Sequence, residues 1–331
     1  MGIDALRIVA IGGGTGLSTI LHGLKAYAPR EAEITAIVTV TDDGGSSGRL
    51  RREFDVLPPG DIRNCMVALS EDEALLSKLF QYRFEEGRGL KGHSFGNLFL
   101  TALTNLTGDF AGAVRLSSEV LAIRGRIFPS TVEDVGLEAE LENGEVVTGE
   151  TRVSKSRSPI RRVRLVPSAC KPLADTLDAI ERADLITFGP GSLFTSVIPN
   201  VLVRGIPRAI RRSRAIKAGF MNLMGQPGET IGFAASDHVK AIHEHAGGKL
   251  LDVVVLNTAP IRQAQRRKYA AQEAQPVIND VAKLEAMGIE VVEAWLLAEG
   301  AKVRHDSDRA GSIAMDLARR GRLRRAMGVA G

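Results

Sequence analysis

Apolar residues along this chain follow two rhythms. Short, nearly unbroken runs rich in β-branched residues recur at Leu6 to Ile11 (LRIVAI), Ile34 to Val40, Asp184 to Phe188 (DLITF), Phe220 to Met224, Leu250 to Leu256 and Ile289 to Ala294 (IEVVEA). Runs of this kind predict strands buried on both faces, as in a parallel sheet. Elsewhere apolar positions return every three or four residues, which predicts helices. Such helices are expected at Thr19 to Tyr27, with Ile20, Leu21 and Leu24 on one side, at Ile62 to Leu69, and at Leu75 to Phe84. Others are expected at Leu98 to Leu106, Lys171 to Ala183 and Arg262 to Glu273. Strand, helix and strand in this order make βαβ units with right-handed crossovers. The predicted fold is α/β, a Rossmann-like, doubly wound and mainly parallel sheet.

The rhythm changes between Ile127 and Pro167. Val135 to Glu142 and Glu145 to Thr151 alternate around Asn143-Gly144, a strong hairpin signal, and Ile160 to Val166 (IRRVRLV) alternates again. A small antiparallel β insertion is expected at about 127–167 within a single domain spanning 1–331. Its arginines, Arg152 to Arg164, read as a solvated face. So do those of the helical tail from Ala310, at Arg319, Arg320, Arg322, Arg324 and Arg325.

Composition narrows the class without naming a chemistry. The 331 residues are 44% hydrophobic and 25% charged, with a net charge of +4, an ordinary globular balance. That charge is too small to call for nucleic acid, and the basic stretches lack interleaved aromatic residues. Cys65 and Cys170 have no CxxC partner, so neither a disulfide framework nor a zinc motif is expected. No signal peptide or membrane-length apolar run is visible, and a cytoplasmic protein is expected.

Candidate chemistry follows the predicted strands. After the first comes Gly12 to Ser18, GGGTGLS, then a helix start, the general recipe for holding a phosphate. Gly12, Gly13, Gly14, Thr15 and Gly16 are candidate ligand contacts. Leu17 breaks the dinucleotide pattern and no lysine completes a P-loop. After the second strand comes TVTDDGGSSGR, read as a loop because its glycines and serines suit neither helix nor strand. Asp42 and Asp43 are candidate Mg²⁺ ligands and catalytic groups, and Gly44, Gly45, Ser46 and Ser47 are candidate phosphate contacts. In PPGDIRN, Asp61 reads as a helix cap, and Arg63 and Asn64 as first-turn residues near a ligand. His93 and Asn97 in HSFGN, and Gly189, Gly191 and Ser192 in GPGS, mark two more ligand-facing helix starts. MGQPGET makes a fourth polar turn, and the His243/His245 spacing is poor for a metal.

Taken in order, GGGTGLS, TDDGGSSGRLR, PPGDIRN, HSFGN, DLITFGPGSLFTSVIPN and MGQPGET resemble the gluconeogenesis factor family of bacteria, the YvcK-like proteins. These stand with the CofD-like 2-phospho-L-lactate transferases of deazaflavin cofactor synthesis. Thr41 replaces a common alanine, and Phe95 a leucine, without disturbing the match. The resemblance implies a cytoplasmic factor needed for normal cell shape on gluconeogenic carbon sources. It also implies binding of UDP-sugars such as UDP-N-acetylglucosamine, with Tyr269 and Arg304 matching the tyrosine and arginine that take part. The transferase branch instead implies a Mg²⁺-dependent transfer of a phospholactyl group from a guanosine diphosphate donor. The expected partner is a small nucleotide ligand, with neither nucleic acid nor membrane, and the chain could pair as a homodimer. A nicotinamide-dependent oxidoreductase is the reading from outside the family, and the broken glycine fingerprint weighs against it.

Overall fold

A computed structural model describes residues 5–71, 75–156, 158–271 and 273–328, with the side chain of Leu76 outside this set. Ten strands occur in the described residues: β1 (Leu6–Gly12), β2 (Ala32–Val38), β3 (Arg126–Pro129), β4 (Gly136–Leu141), β5 (Val146–Thr148), β6 (Ile160–Val166), β7 (Leu185–Phe188), β8 (Ile216–Phe220), β9 (Val253–Asn257) and β10 (Glu290–Ala294). Seven form one sheet in the order β10-β9-β8-β7-β1-β2-β3, and every neighbouring pair is parallel. The central strands are buried on both faces, including Ile8, Val9, Ala10 and Ile11 of β1 and all of β7. This accounts for their unbroken apolar runs.

The order places the ligand crevice. From β1 the chain builds outward through β2 to β3. It then returns to the other side of β1 as β7 and builds outward again to β10. The carboxyl ends of β1 and β7 flank this reversal, where helices on the two sides of the sheet diverge and leave an opening.

Several expected boundaries move. The first helix, Gly14–Lys25, begins inside the glycine motif and not at Thr19, because Gly13 is extended and Gly14 takes a φ of +59° to enter the first turn. A second helix, Gly45–Phe54, takes up the Gly-Ser end of the stretch read as a loop. Thr39 to Gly44 are left as connection, and tertiary contacts override the weak helix propensity of the Gly-Ser run. The strand expected at Phe220 to Met224 ends at Phe220 instead. The insertion begins after β3, since β3 is an edge strand of the main sheet. Strands β4, β5 and β6 then form their own antiparallel sheet, in the order β5-β4-β6. Leu137, Ala139, Val163 and Leu165 are buried on its inner face, while Arg161, Arg162 and Arg164 are exposed as expected. Arg157 lies outside the described residues.

The arginine tail is not a solvated face. Helix Ser307–Ala326 crosses helix Gly14–Lys25 where Gly23 meets Ser307 and Gly311 with no room for a side chain on either glycine. Its arginines reach carboxylates around the amino-terminal edge of the sheet. Arg322 lies 2.6 Å and Arg325 3.4 Å from the fully buried Asp184, Arg324 is 3.3 Å from Asp252, and Arg320 forks onto Glu290 at 2.8 and 2.7 Å. Among the described residues no helix is long and apolar enough to cross a membrane.

Candidate functional site

A cleft of about 930 Å³ opens at the reversal point. On one side, Gly13, Gly14, Thr15 and Gly16 line it, together with Ser18, Thr19 and Asn64. On the other side stand Pro190, Gly191, Ser192 and Ser196 after β7, and Asn222 and Gln226 after β8. Tyr269, Val303, Arg304 and His305 line it as well. Helix Gly14–Lys25 has no acidic residue in its first turn and no side-chain cap. Its first N–H groups and its dipole therefore present a positive end to an anion in the cleft.

The glycines here serve close packing as well as any ligand. A side chain on Gly16 would collide with the Pro190 carbonyl and the Gly191 backbone, and one on Gly13 would meet the Asp61 carboxylate at 2.5 Å. The loops after β1 and β7 thus touch through bare backbone. Gly12 and Gly189 are the strand-end residues behind this contact and do not line the cleft.

The stretch Asp42 to Ser47 is set back from it. Asp42 accepts the Gly44 N–H at 2.8 Å. Asp43 accepts the Thr151 N–H at 2.9 Å and its hydroxyl at 2.6 Å, which ties the insertion to the main sheet. Gly44 and Gly45 start the helix, and the buried Ser46 and Ser47 face other helices. The Ser46 hydroxyl is 3.0 Å from His93 Nδ1, and Asn97 donates to the Ser47 hydroxyl at 3.4 Å. This lock joins helices Gly45–Phe54 and Phe95–Thr107, with His93 and Asn97 almost fully buried. Burial, and next the Arg49 guanidinium, hold the His93 pKa below the ordinary histidine value. Arg63 is also buried, donates to Asn64 Oδ1 at 2.7 Å, and leaves its Nε without a partner. Burial lowers its pKa, with the neighbouring Arg83 acting in the same direction.

Asp61 does not cap its helix, Gly60–Leu69. It turns toward the start of the first helix, where the Gly14 N–H binds it. Burial first, and then the charge of Asp42, push its pKa up to about 7, against the opposing Gly14 hydrogen bond and Arg63. Glu150, from the short helix Glu150–Val153 in the insertion, also lines the cleft. Burial raises its carboxyl well above the usual range, helped by Asp42, Asp61 and Asp43 in that order. The raised carboxyls at the cleft are therefore Asp61 and Glu150, and Asp42 is a charge that acts on both. Among the described residues no set of three or more His, Cys, Asp or Glu side chains forms a metal cage. A divalent ion here would need ligand oxygens to complete its shell.

Opposite these groups the cleft is neutral to basic. The half-buried Tyr269 has its hydroxyl fixed by the Val303 N–H at 3.2 Å, which leaves a ring against the cleft. Arg304 is exposed at the rim. His305 donates from Nε2 to the Met221 carbonyl at 3.0 Å, and burial lowers its pKa to about 4, so it is neutral. Glu229 accepts the Phe194 N–H at 3.0 Å and the Thr195 hydroxyl at 2.9 Å, filling the positive end of the π-turn Leu193–Val197. The turn Gly225–Thr230 therefore holds the β7 loop and does more than connect.

The structure thus brings together Gly13, Gly14, Thr15, Gly16, Asn64, Gly191, Ser192, Tyr269 and Arg304. It sets Asp43, Gly45, Ser46, Ser47, His93 and Asn97 apart as supports, with Asp42 between the two groups. Sequence reasoning missed Asp61 as a cleft carboxylate, Glu150, Asn222, Gln226, Glu229 and His305. PPGDIRN and MGQPGET carried three of these, but a polar residue in a turn looks the same whether it caps, clamps or binds. Nothing marked Glu150, which follows a short edge strand.

Fold and cleft define a Rossmann-like α/β protein that presents an uncapped helix start, an aromatic ring and an arginine at its topological switch point. Residues 8–297 match the family described as 2-phospho-L-lactate transferase CofD. The chain belongs to this family, and within it to the gluconeogenesis factor group. It is 49% identical over 304 residues to a gluconeogenesis factor of Halalkalibacterium halodurans, covering 92% of this chain and 94% of that one. It is 47% identical to the gluconeogenesis factor of Bacillus subtilis, covering 94% and 98%. A crystal structure from Bacillus halodurans, described as a member of the upf0052 family, superposes with a TM-score of 0.91 at 47% identity, covering 95% of this chain and all of the other.

Proposed function

We propose that this chain acts as a gluconeogenesis factor by binding a nucleotide-sugar of the UDP-N-acetylglucosamine type in the switch-point cleft. The observation that carries this reading is one cleft joining the start of helix Gly14–Lys25 with Tyr269 and Arg304. The helix N–H groups and Arg304 suit a diphosphate, and the Tyr269 ring supplies a flat apolar surface for a base or sugar. The volume of about 930 Å³ suits a ligand of that size. We further propose a cytoplasmic role in supplying cell-wall precursors, and so in cell shape on gluconeogenic carbon sources; the name carried by the relatives, gluconeogenesis factor, supports the gluconeogenic part of this reading. Thermal unfolding with added UDP-N-acetylglucosamine, GDP or NAD ranks the ligands, since one bound only by the folded state raises the melting temperature. The UDP-sugar is expected to give the largest rise. A larger rise with NAD, or none with any nucleotide, contradicts the proposal.

A second reading is a Mg²⁺-dependent transferase of phosphorus-containing groups, favoured by the carboxylates facing the helix start. Asp42 and Asp61 are then the residues to hold the ion, because Asp43 Oδ1 already accepts both the N–H and the hydroxyl of Thr151, while Asp61 faces the helix start. The ion would neutralise charge on the phosphates.

A further inference from the structure

Gln226 takes no part in the reading above, yet it belongs to a chain of hydrogen bonds whose polarity is fixed from one end. Asn222 Oδ1 accepts the Gly191 N–H at 3.1 Å, and Asn222 Nδ2 donates to the Gly191 carbonyl at 2.8 Å. A backbone N–H can only donate and a carbonyl can only accept, so the Asn222 amide has one orientation. Its Nδ2 also donates to Gln226 Oε1 at 3.3 Å. Gln226 must then present its Nε2 on the other side, and that nitrogen donates to the Ser192 hydroxyl at 2.7 Å. Ser192 Oγ is therefore an acceptor toward Gln226, and its own hydrogen remains for another partner.

The turn that carries Gln226 is held firmly. The Gln226 N–H donates to the Thr230 hydroxyl at 3.0 Å, the Thr230 N–H donates back to the Gln226 carbonyl at 2.9 Å, and the Gly225 N–H donates to the Gln275 carbonyl at 2.7 Å. Gly191, Ser192, Asn222 and Gln226 all line the cleft. We infer that Gln226 is a positioning residue that fills one lone pair of the Ser192 hydroxyl and so leaves its hydrogen to be donated to an acceptor oxygen of the ligand, namely a phosphoryl oxygen. This rests on the proposed nucleotide-sugar reading and adds which loop contacts the diphosphate and with what polarity.

The test is a double-mutant cycle on the full chain, read by calorimetric titration of UDP-N-acetylglucosamine. Gln226→Met removes the donor at similar length, and Ser192→Ala removes the hydroxyl. Each is expected to weaken binding about 10-fold, the worth of one hydrogen bond to a charged oxygen, and the double variant about 10-fold as well. Gln226→Glu forces the Ser192 hydroxyl to donate to the new carboxylate and is expected to weaken binding more than Gln226→Met. Unchanged melting temperatures show that the turn is intact; a variant that melts early is replaced by Gln226→Leu in the same cycle. Losses that add to about 100-fold, or no loss from Gln226→Met, overturn the inference. If the unchanged protein binds no UDP-sugar, the proposed function fails while the relay is read with pyrophosphate, which has the same acceptor oxygens. Failure to bind either probe overturns both.

Discussion

Asp61 combines burial, a like-charged neighbour and one backbone donor at a single position. Its pKa of about 7 stands above the ordinary 3.8, so the folded protein keeps a proton that the unfolded chain gives up between these values. Stability contributed by this group is therefore present at low pH and falls as pH rises from 3.8 to about 7. Asp61→Asn is expected to remove that slope and to stabilise the protein by on the order of 3–4 kcal/mol near pH 8, with little change near pH 4. Urea unfolding at the two pH values checks this, and an equal effect at both would show that Asp61 does not titrate there. Without a cation, anion binding should weaken as Asp61 ionises. At this scale the sequence was partly legible. Thr15, Gly16, Ser192, Tyr269 and Arg304, which line the cleft, were among the candidates because glycine loops and family motifs name residue types. The roles of Asp42 and Asp43 could not, since adjacent carboxylates in the chain diverge in space, one to Gly44 and the other to Thr151.

Helix contacts explain where element boundaries departed from periodicity. Helix Gly45–Phe54 is poor in apolar residues, and only Leu50 is a buried large apolar side chain on it, so no repeat announced it. Its partner contacts are polar, through His93 and Asn97, and hydrophobic patterning is silent about those. The crossing of helices Gly14–Lys25 and Ser307–Ala326 is equally invisible from periodicity, because it depends on Gly23 and Gly311 leaving space. Gly23→Ala places a methyl against the Ser307 carbonyl and is expected to cost about 3 kcal/mol or more, since both backbones must shift. Gly205→Ala is a poor control because Gly205 has a positive φ of 98°, whereas Gly136→Ala meets only a distant carbonyl at 3.8 Å. Denaturant midpoints for Gly23→Ala and Gly136→Ala make the comparison, and equal midpoints would contradict a close crossing.

For the whole molecule, the alternation of buried runs and helical spacing was enough to read a parallel doubly wound sheet with an antiparallel insertion. The return of the chain from β3 to β7 was not written in any local pattern, although it creates the cleft. The tail helix was misread for a related reason: arginines that meet distant carboxylates look the same in sequence as arginines in water. Asp184 is fully buried and held by Arg322, Arg325 and the Arg7 N–H. Removing both arginines leaves a buried charge, so Arg322→Ala with Arg325→Ala is expected to cost about 3–5 kcal/mol, partly recovered by adding Asp184→Asn. Guanidinium unfolding of the three proteins checks it, and no recovery would argue against Asp184 as the anchor. The central claim concerns the cleft on the opposite edge of the sheet. Calorimetric titration of UDP-N-acetylglucosamine into the unchanged protein, Tyr269→Ala and Arg304→Ala tests it most directly. Saturable binding is expected, weakened at least about 10-fold by each substitution. Absence of binding to the unchanged protein, or equal affinity in all three, would contradict a nucleotide-sugar site between the first helix and the Tyr269–Arg304 wall.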